Sequence, residues 1–363
     1  MLLRRSPLLI AALAVSIGIA GTAGVSAVPQ AAQSTLPTVV VLATGGTIAG
    51  AAASSAQAGY TSGQVGVEQL LAAVPDAKKL ANMRGEQISN IGSQDMNDEV
   101  WLKLGRRVNE LVAMPGVDGV VITHGTDTIE ETAYFLNLIV KSRKPVVLTA
   151  SMRPSTALSA DGPLNFYNAV GVAANKEAAG RGVLVVVNDW IHGASSLTKT
   201  STTAVQTFMS PLTGLIGTVA YGKAEFHRGP IGKHTMDSEF SLQGVTTLPR
   251  VDIIMAYENM DGALIDAAAA AGAKGIVIAG VGNGNLTAAA VTALAAQAKK
   301  GVVAVRSTRV ATGIVGRNVE LDDNALGFVA SMGLNPQKAR VLLRLALTKT
   351  TDVKAIQRYF EEY

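Results

Sequence analysis

Apolar residues along this chain follow two alternating rhythms. Val39 to Ala43, Val120 to Thr123, Val146 to Ala150 and Val183 to Asn188 are short β-branched runs bounded by Gly or Pro, the pattern of strands buried on both faces. After the second of them, Ile129, Ala133, Leu136 and Val140 recur at helical spacing. A second set repeats the alternation: Val251 to Met255, a helix around Gly262 to Ala271, Ile276 to Ala279, a helix over Thr287 to Lys300, and Val302 to Arg306. Asn335 before Pro336 marks another helix start, a capping side chain followed by a residue whose missing N–H costs nothing in the first turn. Strands alternating with helices predict an α/β fold whose sheets are mainly parallel and covered on both faces.

The rhythm loosens over Arg228 to Pro249, a stretch carrying Gly229, Pro230, Gly232 and Gly244. A chain of 363 residues also exceeds the roughly 250 to 300 that one core usually serves. Two domains are therefore expected, 38–228 and 250–363, each with a mainly parallel sheet flanked by helices, and joined by a linker over 229–249. Residues 28–37, rich in Ala, Gln and Ser, read as a second linker. Ahead of it, Arg4 and Arg5, the apolar Leu8 to Ala20 and the small residues Val25-Ser26-Ala27 have the layout of a signal peptide, 1–27. Export to the periplasm or the medium follows, with no membrane attachment once that segment is cleaved.

Composition narrows the chemistry. Hydrophobic residues make up 48%, charged residues 16% and aromatics 4%, which predicts an aliphatic core and no long disorder. Removing Arg4 and Arg5 takes the formal charge from +4 to about +2, and with no basic run and few rings for base stacking, nucleic acid is not an expected partner. The cysteine count of 0 excludes thiol catalysis and thiolate metal sites. His124, His192, His227 and His234 form no i, i+4 pair and no H-E-x-x-H motif, so neither metal nor cofactor is expected, and His124 beside Gly125 reads as structural.

Two of the strands end alike. One runs into Thr44-Gly45-Gly46-Thr47 and the other into Thr123-His124-Gly125-Thr126-Asp127-Thr128. In an open parallel sheet ligands bind beyond the carboxyl ends of strands, so both threonine turns would face one crevice, with glycines admitting a substrate to backbone N–H groups. Either turn alone is also what a tight turn with a capping threonine looks like, and neither has the spacing of a phosphate loop. Ser196-Leu197-Thr198-Lys199 fits the S-x-x-K motif of penicillin-recognising serine enzymes, but the companions Ser-Asp-Asn and Lys-Thr-Gly are absent.

Taken together, Ala43 to Gly50 and Gly119 to Thr132 closely resemble the two signatures of the bacterial type II, exported L-asparaginases of the asparaginase/glutaminase family. The likeness continues through Asn90 to Asp95, Ser159 to Pro163, Thr198-Lys199-Thr200, Gly282 to Asn285 and Leu334 to Arg340. It departs at Ala194-Ser195-Ser196, where many members carry Gly-Arg-Asp.

The resemblance implies hydrolysis of L-asparagine to L-aspartate and ammonia, with L-glutamine a secondary substrate. It makes Thr47 the nucleophile, closed over by Tyr60, and gathers Thr126, Asp127 and Lys199 into a second catalytic cluster. Ser93 matches a ligand of the substrate carboxylate, Asp127 and Glu320 match ligands of its ammonium, and Gln94 lies near the ammonium, with Thr126 also in the pocket. In the family Asn285 and Glu320 reach the site from a neighbouring subunit, which implies a homotetramer, a dimer of close dimers. The contrasting expectation is an exported amino-acid-binding protein without turnover, which would need Ser93 and Asp127 but not Thr47, Tyr60 and Lys199.

Overall fold

The computed structural model of the protein describes residues 36–56 and 61–363. The expected signal peptide, the first eight residues of the linker over 28–37, and Tyr60 lie outside the described residues. The first strand, β1 (Thr38–Gly45), is buried at every position but its first. It lies between β2 (Asn82–Ile91) and β3 (Gly119–Thr123), parallel to both, with Leu42 opposite Glu86 on one side and Ile122 on the other. The parallel run continues with β4 (Val146–Thr149) and β5 (Val183–Val187).

At β5 the chain reverses. Asn188 and Asp189, with φ of 48° and 65°, form a two-residue turn into β6 (Trp190–Gly193), which pairs antiparallel with β5. A separate two-stranded piece, β7 (Thr198–Lys199) and β8 (Phe208–Met209), follows. The chain then rejoins the large sheet through β9 (Gly217–Ala220) and, across the left-handed pair Tyr221-Gly222, β10 (Lys223–Phe226). The eight-stranded order is β10-β9-β6-β5-β4-β3-β1-β2. The expected strands are present, and the antiparallel extension was marked in sequence only by its two-residue turns.

Successive residues of β1 face opposite cores, as the period of two requires. Val40 and Leu42 join one cluster with Leu104 and Val108 of α2 (Asp98–Ala113) and Phe135 and Leu138 of α3 (Ile129–Ile139). Val39 and Val41 join another with Leu70 of α1 (Val67–Ala73) and Phe166 and Val170 of α4 (Gly162–Ala174).

The second sheet is wholly parallel: β11 (Val251–Met255), β12 (Gly275–Gly280), β13 (Val303–Thr308) and β14 (Phe328–Ala330), in that order. One face is covered by α5 (Ala263–Ala270) and α6 (Ala288–Lys299). After the short α7 (Asp323–Leu326), α8 (Pro336–Ala346) and α9 (Val353–Glu362) pack on the other face. Asn335 caps α8 as expected, its Oδ1 accepting from the Lys338 N–H at 3.0 Å.

The first core cluster includes residues of both sheets, with Val277, Val305 and Leu342 alongside Leu42 and Ile122, and residues 36–363 form one compact unit. Within 229–249, Phe240 is buried in that core with its ring 4.9 Å from that of Tyr359, so this stretch is packed despite its lack of periodicity. Among the described residues no helix is long and apolar enough to cross a membrane. The α/β class with mainly parallel sheets is thus observed.

Candidate active site

The carboxyl end of β1 breaks its pairing with β2 at Ala43 to Gly45 and turns through two glycines. Gly45 and Gly46 have φ of 106° and 79°, a left-handed backbone that side chains disfavour. Space excludes a side chain as well: a Cβ on Gly45 would fall 2.4 Å from the Ile91 carbonyl oxygen, and one on Gly46 2.4 Å from the Gly125 Cα. The turn is pinned on both sides, since the Thr44 hydroxyl donates to the Thr123 carbonyl at 2.9 Å and the Ser89 hydroxyl donates to the Thr44 carbonyl at 2.9 Å. Thr47 begins a 3-10 turn, Thr47–Ala49, and is buried. The two threonine turns singled out in sequence therefore touch, glycine against glycine.

Ser93 clamps the second turn. Its hydroxyl accepts from the Asp127 N–H at 3.1 Å and its carbonyl accepts from the Thr128 hydroxyl at 2.8 Å, which fixes the start of α3. A Cβ on Gly125 would lie 2.5 Å from Ser93 Oγ, so glycine is required here too. Lys199 arrives from β7: its ammonium donates to Thr126 Oγ1 at 2.9 Å and to Asp127 Oδ1 at 2.6 Å. Its side chain is 19% exposed, whereas that of Asp127 is 57% exposed and open to a ligand. Gln94 is exposed and donates to Asp95 Oδ2 at 3.2 Å.

His124 supports this turn from behind. Its Nδ1 lies 2.8 Å from the Gly125 carbonyl, which can only accept, so the proton sits on Nδ1 and Nε2 accepts from the Thr132 hydroxyl at 2.9 Å. Thr132 in turn accepts from the Trp101 indole at 2.9 Å, and that indole stacks on Phe135. Burial pushes the imidazole from its ordinary 6.5 down to about 4, so it is neutral and structural.

One supporting cluster has no counterpart in the sequence reading. Glu130 and Lys338, both buried, pair at 3.2 Å, and Glu130 also accepts from Asn335 at 3.2 Å and Gln337 at 3.1 Å. The Lys338 ammonium further donates to the carbonyl of Leu197, two residues before Lys199. The start of α8 thereby ties α3 to the strand that delivers Lys199. A lysine in the first turn of a helix, where the dipole disfavours a cation, was the one available signal.

Asn285 and Glu320 make no bond to this cluster. Asn285 is half-buried in the loop after β12 and Glu320 is exposed ahead of α7. Among the described residues no hydrogen bond or ion pair joins either of them to Ser93, Thr126, Asp127 or Lys199. One chain thus assembles Thr47, Ser93, Thr126, Asp127 and Lys199 around the two touching turns, with Asn285 and Glu320 not bonded to that set.

Residues 38–232 match the family description "Asparaginase, N-terminal" and residues 250–360 match "Glutaminase/Asparaginase C-terminal domain". The chain is 56% identical over 328 residues to the "Probable L-asparaginase periplasmic" of Haemophilus influenzae, covering 90% of this chain and 93% of that protein. It is 53% identical over 328 residues to the "L-asparaginase 2" of Escherichia coli, covering 90% and 94%. The crystal structure of a "Probable Cytoplasmic L-asparaginase" from Campylobacter jejuni superposes with a TM-score of 0.88 at 48% identity, over 90% of this chain and 100% of that one.

Proposed function

The chain belongs to the asparaginase/glutaminase family and is an asparaginase; from that premise we propose that it hydrolyses L-asparagine through the hydroxyl of Thr47, with lesser activity on L-glutamine. The observation that carries this reading is the contact between the two turns. It sets a buried threonine at the end of β1 beside a hydroxyl, an ammonium and a carboxylate joined in one hydrogen-bonded set, Thr126, Lys199 and Asp127.

In this mechanism Thr47 Oγ1 adds to the amide carbon, glycine-turn N–H groups meet the developing oxyanion, and the proton lost by the Thr47 hydroxyl is delivered to the amide nitrogen, so that the C–N bond breaks and ammonia leaves. Water then hydrolyses the resulting ester and frees aspartate. Lys199, positioned by Thr126 and Asp127, handles protons in the second cluster, and Tyr60 is assigned to close over Thr47. Because Ser93 Oγ accepts from a backbone N–H, its own proton remains available to a substrate carboxylate. The exposed Asp127 carboxylate suits the α-ammonium, with Gln94 nearby.

We assign Asn285 and Glu320 to the site of a neighbouring chain in a homotetramer built from close dimers. The absence of any bond from them to the cluster within one chain supports this, as do the exposed apolar side chains of Val310, Ile314 and Val319 on the segment leading to Glu320, a surface that a second copy would cover. We also read 38–228 and 250–363 as the two domains, and the protein as periplasmic or secreted.

The test is ammonia release. Thr47→Ala should lower kcat for asparagine by well over roughly 10²-fold with the melting temperature preserved, and a variant keeping most of the parental kcat would overturn the nucleophile. Glutamine is longer by one methylene, a difference worth only about 1 to 3 kcal/mol to a pocket, so the parent should keep a measurable but lower kcat/KM for it. Equal kcat/KM values for the two amides would contradict the preference.

A further inference from the structure

We infer that Arg306 is a positioning residue that holds Asn285 and Glu320 as one rigid unit for presentation to the neighbouring chain. The inference rests on the shared-site reading above and goes beyond it by naming what fixes the donated residues. Arg306 belongs to β13, otherwise aliphatic up to that point, and its side chain is 0% exposed. A guanidinium carries five N–H donors, and here each finds an acceptor. Nε and Nη2 donate to the two oxygens of Asp323 at 2.6 and 2.8 Å, in the planar two-bond arrangement that arginine alone offers a carboxylate. Nη1 donates to the carbonyls of Asn283 and Gly284 at 3.2 and 3.1 Å, and Nη2 to that of Gly316 at 3.1 Å.

Those acceptors directly precede Asn285 and bracket Glu320. Gly284 immediately precedes Asn285, and its φ of 75° with Arg306 Nη1 only 2.9 Å from a would-be Cβ shows how closely the loop is drawn onto the guanidinium. Glu320 lies between Asn318, whose N–H donates to Asp323 Oδ2 at 2.8 Å, and Asp323 itself. The two loops are also tied directly, Gly316 N–H donating to Asn283 Oδ1 at 2.9 Å. A buried ion pair is a weak way to stabilise a fold, because desolvation offsets its attraction, but a five-pronged cation is an effective way to set two loops in register.

The experiment uses the intact oligomer with Arg306→Lys and Asn283→Ala. The second removes only the loop-to-loop bond at a half-exposed side chain, and so carries the test if the first does not fold. Loosening a ligand of the substrate ammonium should raise KM for asparagine by about 10-fold with kcat changed far less, whereas a role in folding alone would lower the active fraction, and hence kcat, at constant KM. Each variant is then co-refolded with Thr47→Ala and, separately, with Glu320→Ala, and assayed at subsaturating asparagine. In a mixed dimer with Thr47→Ala, one site combines an intact Thr47 with a properly held Glu320, so activity should rise above that of either parent. With Glu320→Ala no site is whole, and no gain should appear. A gain with Glu320→Ala, an unchanged KM in Asn283→Ala, or failure with both partners would overturn the inference while the reference mixture of Thr47→Ala and Glu320→Ala still complements. Failure of that reference mixture would instead overturn the shared site itself, and the inference with it.

Discussion

At the scale of single residues, the neutral imidazole of His124 shows how a buried group shapes the site without entering the chemistry. Protonation of Nε2 would take away the acceptor to which the Thr132 hydroxyl donates, and burial opposes the charge besides. The folded value near 4 lies below the ordinary 6.5, so between these limits the unfolded chain binds a proton that the folded one refuses. Stability must then rise with pH across that window, and is lost as pH falls from about 6.5 to 4. Buried His192 is lowered to about 4 in the same way and adds to the effect. In urea unfolding at fixed chain concentration, His124→Gln should flatten the slope of stability against pH near pH 5 by about 1.4 kcal/mol per unit. An unaltered slope would show that His124 does not titrate in that interval.

Among elements, the start of α8 links two others, because Lys338 pairs with Glu130 of α3 and donates to the carbonyl of Leu197, two residues before Lys199. Lys338→Met leaves a buried carboxylate without its cation and should cost about 3 to 5 kcal/mol in thermal unfolding. The double variant Glu130→Gln with Lys338→Met should be less harmed than the sum of the singles, and strict additivity would show that the pair is not coupled. This cluster also marks where the sequence became illegible. β1, β3, β4, β5, β12 and β13 were readable because burial on both faces makes each a largely apolar run, and β11, with Ile253 and Met255 exposed, was readable from its Val251, Ile253 and Ile254. β2 was not, since its residues alternate between partial and full exposure around a single buried Ile88. The antiparallel strands β6, β9 and β10 are too short for periodicity and were signalled only by Asn188-Asp189 and Tyr221-Gly222. The site divides the same way: Thr47, Thr126 and Asp127 follow recognisable strand-end turns, while Lys199, on a two-residue strand, was found through family resemblance, and Glu130 with Lys338 meets only in three dimensions.

For the whole molecule, the proposed sharing of the site between chains would make activity depend on concentration. Specific activity should fall on dilution in step with dissociation measured by sedimentation at matched concentrations, because a lone chain lacks a neighbour's Asn285 and Glu320. Full turnover by monomers would refute the shared site. The core common to both sheets has a further consequence, for the order of events during biosynthesis. Leu42 and Ile122 share their apolar cluster with Leu342, Ile356 and Tyr363, so the earliest strands leave the ribosome long before α8 and α9 exist to cover them. With that face bare, the nascent polypeptide exposes a binding surface for chaperones and stays incompletely packed until its final two helices have been made.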